Sequence, residues 1–108
     1  MVAGGGTVRS FEVDPDRVWA ALLAVIGRHT WRVSRRDGAA MSLTVRSLPS
    51  FASWGQKASV VVRPTTNGCD VLASASAVMP TEIRGSHRAN ALVDTILAEV
   101  DRELLRDR

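Results

Sequence analysis

The side chains that carry most protein chemistry are scarce in this chain. It has two histidines, His29 and His87, and one cysteine, Cys69. A zinc site needs several such ligands grouped at short spacings. Neither histidine has a cysteine or carboxylate at such a spacing, so no metal site is expected. Cys69 opens an alternating apolar stretch with no base beside it. A thiol in that context is a small buried hydrophobe rather than a nucleophile. No serine lies in a nucleophile-elbow context. Asp94 and Glu99 stand on different faces of a helix and form no acid–base pair. Gly4-Gly5-Gly6 precedes a strand, not a helix, and fits neither a phosphate loop nor a dinucleotide fingerprint. No catalytic residue and no cofactor are therefore expected.

The second chemical feature is charge. The net charge is +3, and Lys57 is the only lysine among the cations. Arg28, Arg32, Arg35, Arg36, Arg46, Lys57 and Arg63 follow one another against Asp37 alone, while the C-terminal segment leans acidic. A basic centre can meet phosphate or an anionic surface. The plainer reading is the wet face of a sheet in an Arg- and Ala-rich composition, and nucleic-acid binding ranks behind it.

These residues need elements to hold them. The strongest is the stretch from Arg88 to Arg106. Ala89, Leu92, Val93, Ile96, Leu97, Val100 and Leu104 recur at three- and four-residue steps, which is one helical stripe. Buried against a sheet, that stripe contributes on the order of 10 kcal/mol gross, before ordering entropy is subtracted. Upstream, Thr7 to Val13 reads as a strand. Asp14 is an N-cap and Pro15 a first helical residue, so a helix is expected from Pro15 to Arg28. Its stripe is Val18, Trp19, Leu22, Leu23 and Ile26, and His29 follows where a helix C-terminus favours it. Trp31 to Arg36 is a short strand with Trp31 and Val33 inward. Asp37-Gly38 signals a hairpin, and Met41 to Leu48 alternates. Gln56 to Arg63 and Cys69 to Val78 are two more strands, joined by a turn from Pro64 to Gly68. Met79 to Ser86 is a polar connection.

The expected order is thus β-α-β-β-β-β-α. Hairpin connections in succession imply an antiparallel sheet. Two helices with apolar stripes must cover one face of it, giving a two-layer α+β domain. The 108 residues make one domain spanning 7–108, after a Gly-rich flexible tail at 1–6. One cysteine permits no internal disulfide, no secretory signal is visible, and Val18 to Ile26 is too short to span a bilayer. A cytoplasmic protein is expected.

Two places invite binding. The last strand turns Cys69, Val71, Ala73, Ala75 and Ala77 inward. Three successive alanines either let a helix approach closely or leave an apolar cavity. Such a cavity would be lined by Trp19, Leu43, Val45, Val60, Ala73, Ala75, Leu92 and Ile96. The loop from Ser50 to Gly55 presents Phe51 and Trp54, which either meet a partner or plug the open end of the sheet. On the outer sheet face Val61, Leu72 and Val78 interrupt polar residues, a pattern that suits a dimer surface if they cluster.

The run from Phe11 to Leu22 (FEVDPDRVWAAL) resembles the opening of the START-related superfamily, which includes polyketide cyclases, lipid-transfer proteins and the birch-pollen allergen family. There a strand ends in a residue-Pro-acidic turn and a helix follows that begins Val-Trp, as Asp14-Pro15-Asp16 and Val18-Trp19 do here. The resemblance covers the first helix, and the last helix in outline. It implies a helix-grip arrangement, reduced in this short chain, with an apolar small molecule or lipid held between the C-terminal helix and the sheet. The chain also resembles a small group of bacterial proteins of unknown function with a Trp-Gly before a Val-rich strand (Trp54-Gly55) and an Arg-x-Asn entry to the final helix (Arg88-Ala89-Asn90). The leading expectation is a non-enzymatic module binding an apolar ligand. The alternative is a homodimeric or protein-interaction module without one.

Overall fold

A computed structural model of the chain describes residues 6–29, 31–46, 56–77 and 83–106, and the side chains of 7–29, 31–46, 57–75 and 92–106. The elements are β1 (Gly6–Phe11), α1 (Pro15–Gly27), β2 (Arg32–Asp37), β3 (Ser42–Arg46), β4 (Gln56–Thr65), β5 (Gly68–Ala77) and α2 (Ile83–Arg106). The strands form one sheet in the order β1-β5-β4-β3-β2, every pair antiparallel. β1 and β2 follow each other in the chain yet occupy opposite edges. α1 makes the crossing between them. α2 then lies mainly on β5, and also on β4 and α1. This is the α+β order expected from the sequence.

Alternation decides the faces. Leu43 and Val45 of β3, Ala58, Val60 and Val62 of β4, and Cys69, Val71, Ala73 and Ala75 of β5 are all buried. Their neighbours Thr44, Ser59, Val61 and Ser74 point the other way and are partly or fully exposed. Val18, Ala21, Leu22, Val25 and Ile26 of α1 close one side of this core, and Leu92, Val93, Ile96, Leu97, Val100 and Leu104 of α2 close the other. Asp14 caps α1 by accepting the Asp16 N–H at 2.9 Å, and Pro15 occupies the first turn, where a missing N–H costs nothing.

Four expectations are corrected by the structure. α2 begins at Ile83, so part of the expected connection is helical and Gly85 lies inside the helix. No proline follows Pro80, and one interior glycine costs only ~1 kcal/mol, less than a long apolar stripe returns. Gly6 belongs to β1 rather than to the tail. β4 runs through Pro64 to Thr65, with Pro64 opposite Cys69. The Val62 N–H donates to the Met41 carbonyl at 2.9 Å, so the Pro64 nitrogen, two residues on, faces the same way, past the start of β3. Its missing N–H leaves no gap in the ladder.

The fourth correction concerns β2. Trp31 precedes the strand but packs against the core, and Val33, on the inner side opposite Val45 as expected, is 44% exposed at the sheet edge. A bulge falls between Val33 and Arg35, where the register against β3 shifts. The Ser34 hydroxyl donates to the Thr44 carbonyl there. The β2–β3 turn holds four residues, 38–41. The Asp37 carboxylate accepts the Ala39 and Ala40 N–H groups, and Met41 takes φ 51°.

Candidate functional site

The residues expected to line a cavity do come together. Cross-strand register sets Leu43, Val60 and Ala73 side by side, and Val45, Ala58 and Ala75 in the next inward row. Leu92 and Ile96 of α2 belong to the same buried cluster. All are between 0 and 7% exposed. Trp19 is half-buried and packs against the edge of this cluster. One end of the inner face is therefore small, at Ala58, Ala73 and Ala75. The other is filled by Val62 and Val71. Phe51 and Trp54 lie outside the described residues, as do the side chains of Ala77 and Ala89, Trp54-Gly55 and the side chains of Arg88 to Asn90.

Cys69 is fully buried at the start of β5. Burial pushes its thiol up from the ordinary value of 9.0, and the carboxylates of Asp70 and Asp14 push it further the same way. A thiol held protonated is a poor nucleophile. Among the described residues, no three His, Cys, Asp or Glu side chains gather as a metal ligand set.

His29 does more than end a helix. Its ring stacks on Trp31, with centroids 3.8 Å apart and planes 7° from parallel. Its Nε2 lies 2.7 Å from Glu99 Oε2 on α2. Arg28 pairs with Glu103, and Arg9 of β1 pairs with Asp101. The acidic lean of the C-terminal helix thus serves three docking contacts, which join α2 to β1 and to the end of α1. That lean was visible in the sequence. The partners, 70 or more positions away, were not. Beside these contacts lie two shallow clefts. One, of about 250 Å³, is lined by Arg28, Glu99, Arg102, Glu103 and Arg106. The other, of about 570 Å³, lies between the β1–α1 connection and the end of α2, against Phe11, Val13, Arg17 and Leu104.

The outer face of the sheet has a different character. Register arranges it in rows across the strands. Arg32, Arg46, Lys57 and Ser76 stand opposite one another in turn. The next row holds Arg35, Thr44, Ser59 and Ser74, with Thr44 Oγ1 and Ser59 Oγ 3.4 Å apart. Then come Asp37, Ser42, Val61, Leu72 and Val8, and last Arg63, Asp70 and Ser10. Val8 and Val61 are 60% and 37% exposed. The β2 bulge is what turns both Arg32 and Arg35 outward, since strict alternation from Arg32 would send Arg35 inward. Charges are matched at the last row, where Asp70 accepts the Ser10 hydroxyl at 2.7 Å and lies 4.0 Å from Arg63. Among the described residues they are unmatched at the first row. Like charges directly opposite cost on the order of 0.2–1 kcal/mol per pair.

No family model matches the chain, and no curated protein does. Among solved structures the chain is similar to the protein MLL2253 from Mesorhizobium loti, with a TM-score of 0.70 and 13% sequence identity, over 96% of this chain and 98% of that one. At that identity the likeness bears on the fold alone.

Proposed function

We propose that this domain is a non-catalytic binding module that takes an apolar small molecule or a lipid between α2 and the inner face of β4 and β5. The observation that carries the reading is the grouping of Ala58, Ala73 and Ala75 in neighbouring inward rows of β4 and β5, in one buried cluster with Leu92 and Ile96 of α2. The resemblance to START-related proteins implies a site in the same place. The strand order supports the arrangement it implies, with the long C-terminal helix lying over the sheet beside β1's partner strand. Because these side chains are buried, entry requires α2 to part from β5.

Native mass spectrometry of the purified protein, set beside an Ala75→Leu variant, tests this. The expected result is extra mass that disappears on denaturation, absent from a variant that still folds. Bare wild-type protein and a variant destabilised by ~1–3 kcal/mol would mean that the alanines serve close packing.

A second reading is a homodimeric or protein-interaction module. It is favoured by Val8, Leu72 and Val61, which adjoin in one outward row. A mass that doubles with concentration supports it. No helix among the described residues is long and apolar enough to cross a membrane.

A further inference from the structure

The outer face carries an inference independent of the apolar site. Both helices lie on the inner side, so nothing among the described elements covers Arg32, Arg46 and Lys57. These three cations come from three successive strands and face one another directly. Arg35 stands one row further on, brought to the same side by the bulge. All four are exposed. Among the described residues, the carboxylates of this face are Asp37, one row beyond Arg35, and Asp70, at the far end. Asp37 is engaged by the N–H groups of its own turn, and Asp70 by Ser10 and Arg63. The described salt bridges elsewhere include none of the four cations.

We propose that this row is a binding surface for the phosphate backbone of single-stranded nucleic acid. Charge complementarity is the first argument. The same face neutralises Arg63 by placing Asp70 opposite it, so cross-strand pairing is used where no partner is needed. At the first row, repulsion is retained that an anion would relieve. Shape is the second argument. A five-stranded sheet is too wide to enter the major groove of duplex DNA, which admits a helix or a two-stranded ribbon. A single strand can lie flat across such a face. The row of three cations spans about 10 Å at ~4.8 Å between strands, a stretch that a few backbone phosphates cover. Beside it, the hydroxyls of Thr44 and Ser59 are further donors for phosphate and sugar oxygens. The described part of the face has no aromatic side chain to stack on bases. Binding through the described part of the face is carried by charge and is sequence-independent.

Fluorescence anisotropy of labelled oligothymidylate and oligoadenylate against the full chain, over a range of salt concentrations, tests this. Both are expected to bind equally at low salt. Four neutralised phosphates predict a slope of log K against log salt of about −2.8, at ~0.7 per phosphate on single strands. Arg46→Gln with Lys57→Gln should bring the slope to about −1.4 while the thermal midpoint holds or rises. Arg32→Gln with Arg35→Gln should do the same on the edge strand, and serves if the first pair fails to fold. Arg102→Gln with Arg106→Gln removes equal charge from α2 and should leave the slope unchanged. Three outcomes overturn the proposal: no binding at low salt; an equal loss in the α2 control, which would make the effect one of net charge; or association with phosphatidylglycerol vesicles but not with oligonucleotide, which would make the face a membrane-docking surface.

Discussion

A Cβ built on Gly68 would lie 2.0 Å from the Phe11 carbonyl oxygen and 2.9 Å from the Val13 nitrogen, both backbone atoms that cannot swing away. This glycine, at φ 156°, is where the β4–β5 turn passes beneath the end of β1. Gly68→Ala should destabilise the protein by at least ~1–3 kcal/mol, read from the urea midpoint at unchanged m-value. Next to it, Cys69 gives a pH prediction. Its folded thiol titrates above its unfolded value, so the folded state holds the proton more tightly. The associated stability is complete below the unfolded value and is lost as pH rises through the folded one. The decline should begin near 9.0, the ordinary value. The chain has no tyrosine, and Lys57 is its only lysine, so few other groups titrate there. Cys69→Val should flatten the alkaline loss in melts taken across that range. An unchanged profile would mean that another group drives it. At this scale the sequence was partly legible. A buried, inert Cys69 and a turn glycine follow from residue type. The clash that makes Gly68 obligatory depends on β1 lying beside β5, which no local pattern reveals.

Among the elements, α2 carries the most. Its stripe was legible because seven apolar residues at helical spacing admit one face only, and that face is the buried one for each of the six described. Ile96 is fully buried between the two layers, and Ile96→Ala should cost ~2–5 kcal/mol by equilibrium unfolding. A loss under 1 kcal/mol would show a loosely filled interface there, and so favour the cavity reading. The start of α2 is not legible because Pro80 and Gly85 signal a connection, whereas a glycine inside a helix loses to the stripe that follows it. β2 departs from its pattern for another reason. The bulge turns Arg35 outward while leaving composition almost untouched, and Val33 is exposed because its edge strand lies away from the helices, which pack on β4 and β5. The arginines that make β2 look like an ordinary wet strand also protect it as an edge, since charge and bulges discourage pairing with another chain.

At the scale of the whole molecule, the two proposals use opposite faces of one sheet and can be separated. Ala75→Leu acts on the inner face and should leave oligonucleotide binding unchanged. Arg46→Gln with Lys57→Gln acts on the outer face and should leave any co-purified ligand in place. By itself, the sequence determined the α+β class, the order of elements, one covered face and most of the buried set. Those properties are written in side-chain periodicity and turn chemistry, and both act over a few residues. Hairpin connections imply the run β2-β3-β4-β5, and tertiary structure alone decided where β1 joins it. It placed β1 beside β5 and β2 at the far edge, joined His29 to Glu99 and Arg9 to Asp101, and gathered Arg32, Arg46 and Lys57 into one row. The reason is physical. Register and edge order are set by summed burial across the sheet, and a contact between distant residues leaves no periodic trace in either segment.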